Sequence, residues 1–193
     1  MDRLILASCS PRRCELLRRT GIPFGTYSPQ INESCDLPAG EAVRELSLRK
    51  GKTAAGVFPD AYILSADTLV SVDGVPLGKP KDAADAVRML HLLSGRTHQV
   101  YTGVSVIAPD GRTFTDSDRT DVSFIPLTDS EIREYVNSGE PMDKAGSYAL
   151  QGYAGVWVRR LDGCDSSVIG LPLYLVRKLL LDSGFPFIPS VRM

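Results

Sequence analysis

The spacing of apolar positions along this chain alternates between the period of an amphipathic helix and the period of a strand. Apolar residues three or four apart mark one face of a helix, whereas continuous or alternating apolar runs mark strands. The predicted helices cover 12–20, 40–55, 82–93, 128–136 and 173–181. The predicted strands or extended segments cover 4–7, 24–31, 61–72, 75–77, 99–108, 113–124, 156–160 and 167–169.

Turn and cap residues indicate where several of these elements begin and end. Asp73-Gly74 predicts a tight hairpin, and Thr128 with Glu131 predicts a capping box at a helix start. The residues 161–163 predict a turn that joins 156–160 and 167–169 into a hairpin. The segment 140–155 is rich in glycine, so we expect it to be irregular.

Strands and helices alternate in this pattern, but hairpins occur as well. That combination predicts an α/β fold with a mixed twisted sheet and flanking helices. No change in composition marks a linker, so we expect a single domain over 1–193, with a cleft between two lobes.

The overall charge of the chain limits its partners. It has 22 basic and 23 acidic residues, a formal net charge of -1 and 43% hydrophobic residues, with a mean hydropathy of -0.04. A general binder of nucleic acid or of membrane surfaces would have a basic excess, so we expect no nucleic acid and no membrane among its partners. An anion site must therefore be a local cluster of Lys and Arg.

The cysteine pattern favours free thiols in a reducing compartment. Four cysteines occur without a C-x-x-C pair, and the chain has two histidines, which is not the spacing of a structural zinc site. A disulfide or a bound metal is the alternative. The first residues resemble no signal peptide, and no run is long enough to span a membrane, so we expect a cytoplasmic protein.

The stretch ASCSPRR, residues 7–13, joins the first apolar strand to the first helix. Ser8 and Ser10 offer hydroxyl groups, and the helix start offers free main-chain N–H groups. Arg12 and Arg13 add guanidinium groups, although cations are unfavourable at the positive end of a helix unless an anion lies between them. The stretch therefore favours a phosphate site without the Walker pattern. The alternative is a solvated basic turn with serine caps.

Two charged residues occur where the local pattern does not require charge. Asp67 interrupts an apolar strand, and a buried carboxylate needs a partner, so it either forms a structural salt bridge or faces a cleft. Lys79 lies between Gly78 and Pro80. Such a rigid loop can aim a cation, although an ordinary turn lysine is the alternative.

Three further residues are candidates on weaker grounds. Glu33 is a lone carboxylate after an extended segment, or else a solvated loop residue. Lys50 follows Leu46 by four positions on a predicted helix, so it lies on the inward face. There its ammonium group either pairs with an anion or extends along the surface to solvent. The amide of Gln151 both donates and accepts, which suits a nucleobase edge as well as a surface loop.

Taken together and in order, these motifs resemble the Maf family of nucleoside triphosphate pyrophosphatases, once described as septum-formation inhibitors. The matching stretches are ASCSPRR, Glu33, LSLRK (46–50), SADT (65–68), LGKP (77–80), LSGRTHQVYTGV (93–104), DKAGSYALQG (143–152) and VIGLPL (168–173). The resemblance covers nearly the whole chain, from about residue 4 to residue 173. It implies a fold like that of the inosine triphosphate pyrophosphatases, with a deep cleft between two lobes.

The resemblance also implies a reaction and several residue roles. The reaction is hydrolysis of a nucleoside triphosphate to the monophosphate and pyrophosphate with a divalent metal, Mg²⁺ or Mn²⁺. Asp67 resembles the family's proton acceptor. Arg12, Thr68 and Gln151 match the positions that distinguish the dTTP/UTP type from the type that acts on 7-methyl-GTP. Family members look dimeric, so a homodimer is an expectation with no interface assigned.

The chemistry of the reaction assigns the remaining groups. The candidates for binding the triphosphate are Ser8, Arg13, Lys50 and Lys79. Glu33 and Asp67 are the candidate metal ligands, because Mg²⁺ and Mn²⁺ prefer oxygen donors. Asp67 can serve the metal, the attacking water or both.

Four positions depart from the family pattern, namely Cys9, Asn32, Gly51 and Ser147, and none carries an assigned role. Asn32 removes a charge beside Glu33, which would weaken metal binding.

Two other functions are weighed against the enzyme. A non-catalytic nucleotide-binding regulator of cell division has little need for a carboxylate among phosphates, which favours the enzyme. A cysteine phosphatase needs a C-x₅-R loop, and this chain has Glu15 and Thr20 at the two arginine positions.

Overall fold

A computed structural model describes residues 3–187, so the predicted domain, 1–193, extends beyond the described residues at both ends. The strands are Leu4–Leu6 (β1), Gly25–Thr26 (β2), Tyr62–Val72 (β3), Val75–Leu77 (β4), Thr97–Ile107 (β5), Thr113–Phe124 (β6) and Val158–Asp162 (β7). The helices are Pro11–Arg18 (α1), Ala39–Ala55 (α2), Ala83–Leu93 (α3), Asp129–Asn137 (α4), Asp165–Ile169 (α5) and Leu173–Asp182 (α6). Short 3-10 turns occur at Glu140–Asp143, Ala145–Ser147 and Tyr153–Trp157.

The strands form one mixed sheet of seven. Its order is β2-β1-β3-β5-β6-β7, and β4 pairs with β3 on the same side as β1. β1 runs parallel to β2 and to β3, whereas the other pairs are antiparallel. The mixed α/β fold predicted from the interleaved pattern is therefore confirmed.

The long strand β3 contributes to two separate apolar clusters on one face of the sheet. Leu64 and Ala66 pack in a cluster with α1 and α6, whereas Val70 and Val72 pack in a cluster with α3 and α4. Side chains on one face of a strand are two residues apart, so the residue between the clusters is Thr68. The two clusters are the cores of two lobes that share the long strands.

The sheet has a gap on one side of β3. β1 pairs with β3 as far as Leu6 opposite Leu64, and β4 begins to pair at Val70. Between those positions, the described part of the chain gives β3 a neighbouring strand on its β5 side alone. Asp67 and Thr68 lie in this stretch. Side chains from both faces of the sheet therefore reach the space between the lobes.

Helix α2 packs on the opposite face of the sheet at close range. A methyl group added to Gly103 of β5 would lie 2.2 Å from the carbonyl oxygen of Val43 in α2. One added to Gly51 of the helix would lie 2.8 Å from a serine Oγ of β3. Glycine at both places lets the helix lie directly on the strands. This close packing of α2 on the sheet places Lys50 in contact with Asp67.

The predicted hairpin between 156–160 and 167–169 is wrong. The first segment forms β7, but β7 pairs with β6, and the second segment lies in helix α5. The main-chain N–H of Cys164 donates to Oγ1 of Thr120 on β6 at 2.9 Å. This contact fixes the start of a helical turn where the local pattern favours a strand.

The extended segment 24–31 is confirmed in part. Gly25–Thr26 pairs with β1, and the rest of the segment has no regular secondary structure. The remaining helices and strands are confirmed with end shifts of up to two residues, including the capping box at Thr128.

The four cysteines are free thiols. None of the helices within 3–187 has the length and apolar character needed to cross a bilayer.

Candidate active site

The gap beside β3 opens into a cleft of about 660 Å³ between the two lobes, a size typical of small-molecule sites. Its walls come from both lobes, from helices α1 and α2, and from the irregular segment before β7. Every residue assigned a role from the sequence lies in these walls: Ser8, Arg12, Arg13, Glu33, Lys50, Asp67, Thr68, Lys79 and Gln151. The roles stay predictions, but the fold does bring these residues together.

Lys50 lies between two carboxylates. Its Nζ is 2.5 Å from Oδ1 of Asp67 and 2.8 Å from Oε1 of Glu33. The side chains of Lys50 and Asp67 are 13% and 10% exposed, whereas Glu33 is largely exposed. The hydrogen bond from Lys50 lowers the pKa of Glu33 against the opposing effect of burial, and the charges of Lys79 and Arg13 act in the same direction as Lys50. One ammonium group therefore pairs with both carboxylates, which together carry one negative charge more than it neutralises.

The carboxylate pair fits a hard divalent cation. Both oxygens contact the same Nζ, so they are no farther apart than the sum of the two contacts, and one cation at that place reaches both. Mg²⁺ typically takes one or two carboxylates together with phosphate oxygens and water. Within 3–187, no group of three or more His, Cys, Asp or Glu is arranged to hold a metal. Glu33 and Asp67 would therefore leave most coordination positions to substrate and water.

The start of α1 keeps the free donors that a phosphate needs. Ser10 is the N-cap, but its side chain makes no cap hydrogen bond, and the first turn has no acidic residue. Oγ of Ser8 accepts from the main-chain N–H of Ser10 at 3.2 Å. The main-chain N–H groups of Arg12 and Arg13 have no acceptor among the described residues. They lie at the positive end of the helix dipole, so an anion there is favourable.

Arg12 links the two lobes at the rim of the cleft. Its Nη1 is 3.2 Å from Oδ2 of Asp143, which lies in the irregular segment of the other lobe. Burial acts to raise the pKa of Asp143, but the hydrogen bond from Lys144 and the charges of Lys144 and Arg12 lower it below its usual value. Because Asp143 is 67% exposed, a charged ligand can compete for Arg12.

Arg13 points inward, away from the rim. Its Nε donates to the carbonyl oxygen of Gly170 at 2.8 Å, and its Nη2 donates to Oγ1 of Thr68 at 3.1 Å. Burial lowers the pKa of Arg13, and the nearby charge of Asp67 opposes that effect. The sequence assigns this side chain to phosphate. The structure engages two of its three nitrogen atoms within the protein, where they join α1 to β3 and to the turn after α5.

The second lobe contributes the charged residues Lys79, Asp143 and Lys144 and also an apolar and aromatic wall. Val70, Val100 and Tyr148 line it, and Gln151 is the nearby amide. The hydroxyl of Tyr148 is 2.8 Å from Nε2 of the buried His98, which fixes the position of the phenol ring. An apolar wall with one amide suits a nucleobase better than a triphosphate.

Two features of the cleft are missing from the sequence-based assignment. Asp143 occurs in a recognised motif, but its partner Arg12 is 131 residues away, and no local spacing indicates that contact. Thr102 lies behind the wall, with its Oγ1 2.9 Å from Oγ1 of Thr68. In sequence it is an ordinary strand residue.

Comparison with known proteins decides the family. The family model described as Maf-like protein matches residues 3–183. This chain belongs to the Maf family. The resemblance in its motifs is thus confirmed over nearly the whole length.

Several curated relatives of this Maf protein are named dTTP/UTP pyrophosphatase. The one from Symbiobacterium thermophilum is 47% identical over 96% of both chains. The one from Moorella thermoacetica is 48% identical over 95% of this chain and 96% of the relative. The one from Bacillus cytotoxicus is 45% identical over 95% of this chain and 98% of the relative.

More distant proteins share the fold of this Maf protein. The Staphylococcus aureus Ham1 protein matches with a TM-score of 0.55 and 14% identity, over 94% of this chain and 99% of that structure. A HAM1 protein from Coxiella burnetii matches with a TM-score of 0.54 and 14% identity, over 94% of this chain and 100% of that structure. At this identity the likeness shows a shared fold.

Proposed function

We propose that this protein hydrolyses nucleoside triphosphates, preferably dTTP and UTP, to the monophosphate and pyrophosphate. The observation that carries the proposal is the carboxylate of Asp67, which contacts Lys50 inside a cleft rich in cations. A cleft that merely holds a nucleotide has little use for a carboxylate there, because it repels phosphates. The curated relatives named dTTP/UTP pyrophosphatase support the same reaction.

The triphosphate is proposed to lie along the cationic side of the cleft. The free N–H groups of α1, together with Ser8, bind one phosphate group. Lys50 approaches from α2 and Lys79 from the loop after β4, so positive charge surrounds the chain from separate directions. This arrangement orients the α-phosphorus toward Asp67 and stabilises the departing pyrophosphate.

Asp67 and Glu33 are the residues that would hold Mg²⁺ or Mn²⁺. Such an ion, when bound, neutralises phosphate charge and lowers the pKa of a coordinated water. Oδ1 of Asp67 accepts from Lys50, whereas Oδ2 has no protein partner in the described part of the chain. We assign Oδ2 as the atom that accepts the proton of the attacking water. The bond that forms joins the water oxygen to the α-phosphorus, and the bond that breaks joins that phosphorus to the pyrophosphate.

The base is proposed to lie against the wall that contains Val70 and Tyr148. Uracil and thymine present two carbonyl oxygens and one N–H along one edge, and the amide of Gln151 can pair with part of that edge. Thr68 offers a small hydroxyl beside the base, and Arg12 lies near the base or the triphosphate. These roles explain a preference for uracil and thymine nucleotides.

The test is a product assay on the purified protein with Mg²⁺ or Mn²⁺. dTTP, UTP, CTP, GTP and 7-methyl-GTP are supplied separately, and pyrophosphate is distinguished from orthophosphate. We expect monophosphate and pyrophosphate from dTTP and UTP, with a loss of about 10³-fold in Asp67→Asn, the scale of a lost general base. Asp60→Asn, at an exposed position before β3, is the matched control and should keep full activity.

Two outcomes would contradict the proposal. Orthophosphate as the product would place the cleavage at another bond of the triphosphate. An absence of turnover with every nucleotide, while binding is intact, would favour the nucleotide-binding regulator of cell division.

A cytoplasmic location is part of the same proposal. Four free thiols suit a reducing compartment. The homodimer stays a prediction.

A further inference from the structure

A chain of hydroxyl groups runs inward from the cleft across β3 and β5. Oγ1 of Thr68 is 2.9 Å from Oγ1 of Thr102, and Oγ1 of Thr102 is 2.9 Å from the carbonyl oxygen of Ser167 in α5. Nη2 of Arg13 approaches Oγ1 of Thr68 at 3.1 Å. Thr102 is completely buried behind the wall of the cleft, so it has no role in the site as described above.

The donors and acceptors in this chain fix the direction of each bond. A carbonyl oxygen only accepts, so the single hydroxyl hydrogen of Thr102 goes to Ser167. Thr102 must then accept from Thr68, which uses the single hydroxyl hydrogen of Thr68. A guanidinium group only donates, so Thr68 also accepts from Arg13. Thr68 is left with one lone pair and no hydrogen to offer a ligand.

Gly170 holds Arg13 in this arrangement. Its carbonyl oxygen accepts from Nε of Arg13 at 2.8 Å, so a second hydrogen bond, besides the one to Thr68, holds the guanidinium in place. A side chain at Gly170, whose φ is 118°, would begin 3.2 Å from Oγ1 of Thr68. Glycine therefore permits the close contact of α1, β3 and the turn after α5, which gives the VIGLPL stretch a structural role.

We propose that Thr102 is a positioning residue that determines base specificity by making Thr68 a hydrogen-bond acceptor only. This inference rests on the proposed function, because it concerns the base of the same nucleotide. An acceptor fits the ring N–H of uracil or thymine, whereas the corresponding ring nitrogen of cytosine is itself an acceptor. Two facing acceptors leave buried polar atoms unpaired. The arrangement therefore selects a base with a ring N–H over cytosine.

The test compares the binding of UMP and CMP by calorimetry, which does not depend on turnover. Thr102→Val keeps the shape of the side chain and removes its hydroxyl, so Thr68 regains a hydrogen that it can donate to the cytosine ring. We expect the ratio of UMP to CMP affinity to fall about tenfold, the effect of one hydrogen bond. Thr102→Ser keeps the hydroxyl and should keep the ratio. The ratio of kcat/KM for UTP and CTP should follow the binding ratio.

Thr120→Val is the matched control for loss of a buried hydroxyl. Thr120 is as buried as Thr102 and lies on the neighbouring strand β6. Its hydroxyl group hydrogen-bonds to the main chain of Cys164, whereas that of Thr102 hydrogen-bonds to Thr68. This variant should be destabilised without a change in the affinity ratio.

Three results would overturn the inference. One is an unchanged ratio in Thr102→Val together with a lower Tm, which would make Thr102 purely structural. Another is an equal fall of the ratio in Thr120→Val. The third is a wild-type protein that binds neither UMP nor CMP. Failure of the proposed function is distinguishable from these results, because it appears as a lack of turnover by the wild-type protein in the product assay, without any substitution.

Discussion

Lys50 donates a hydrogen bond to Asp67 across 2.5 Å and pairs with Glu33 at 2.8 Å. The lysine thus holds the two carboxylates that we propose as metal ligands. A divalent cation and the ammonium group need the same oxygens, so they compete until a triphosphate offers Lys50 another anion. The nucleotide and the metal should therefore bind together more tightly than either binds alone.

Lys50→Met should raise the affinity of the nucleotide-free protein for Mn²⁺ by at least about tenfold, because a partly buried competing cation is removed. The free Mn²⁺ is measured by its electron paramagnetic resonance signal. The same variant should lose most of its UTP hydrolysis, because it lacks the ammonium group that binds the phosphates. Lys52→Met, at an exposed position on the same helix, should change neither. Equal Mn²⁺ affinity in Lys50→Met and wild type would show that the lysine and the metal use different groups.

Gln151→Glu should lower kcat/KM for UTP and dTTP about tenfold relative to the other nucleotides, because a carboxylate cannot donate to a base carbonyl. The measurement is a comparison of kcat/KM across the nucleotide panel. Gln151→Met separates the lost amide from the added charge, since it removes the amide without introducing a carboxylate. An equal loss for every nucleotide in Gln151→Glu, with no effect in Gln151→Met, would indicate charge repulsion of the triphosphate and no contact with the base.

Asp143→Asn should lower the KM for UTP about two- to fivefold, the scale of an exposed ion pair. The substitution removes a negative charge from the cleft and releases Arg12, which now pairs with Asp143 at 3.2 Å. Steady-state kinetics measure the change, and the part of the gain that comes from the released Arg12 should disappear in the double variant with Arg12→Ala. Asp73→Asn breaks an exposed pair with Arg96 outside the cleft and is the control. A higher KM in Asp143→Asn would mean that the carboxylate supports the bound nucleotide.

Gly103→Ala should lower the free energy of unfolding by about 3 kcal/mol, because its methyl group has no space and cannot be accommodated without moving α2. The carbonyl oxygen of Val43 would lie 2.2 Å from that methyl group. At this chain length the melting temperature should fall by roughly 10 °C. Gly40→Ala on α2 is the control, because its nearest neighbour, a ring atom of Tyr101, is at an ordinary 3.5 Å. Equal stability of the two variants would contradict the close packing of α2 on the sheet.

The sequence predicts one side of this cleft better than the other. On the cationic side, two residues conflict with their local patterns: Asp67 interrupts an apolar strand, and Lys50 occupies the inward face of α2. Such conflicts indicate candidate functional groups without any knowledge of the fold. On the other side, Asp143 and Thr102 agree with their local patterns. Their importance comes from contacts with residues that are distant in the sequence. The local spacing of apolar and polar residues cannot predict such contacts.

The wrong hairpin has the same physical origin. Val168 and Ile169 are β-branched and follow a turn-like glycine, which locally favours a strand. The helix forms there because Thr120 of β6 binds the main chain of Cys164 at the helix start. A tertiary contact thus overrides the local preference, and the resulting position of Ser167 is what allows Thr102 to donate to its carbonyl oxygen.

The pH dependence of stability should depend on His98, which is completely buried. Burial lowers its pKa from 6.5 to about 4. The unfolded chain therefore binds a proton below pH 6.5 that the folded protein does not accept until about pH 4. Because the unfolded state binds more protons in this window, stability is complete above the window and falls as the pH is lowered through it. The loss should reach about 3 kcal/mol at the acid end.

His98→Gln removes this titration, so its free energy of unfolding should change less between neutral and acidic pH than that of the wild type. Urea denaturation at pH values on either side of the window measures both slopes. Gln keeps a polar group beside the hydroxyl of Tyr148, now 2.8 Å from His98, which limits the loss of stability at neutral pH. His91→Gln, at an exposed position of α3, is the control for loss of a surface histidine. Equal slopes in His98→Gln and wild type would show that other groups, chiefly paired carboxylates, determine the acid stability.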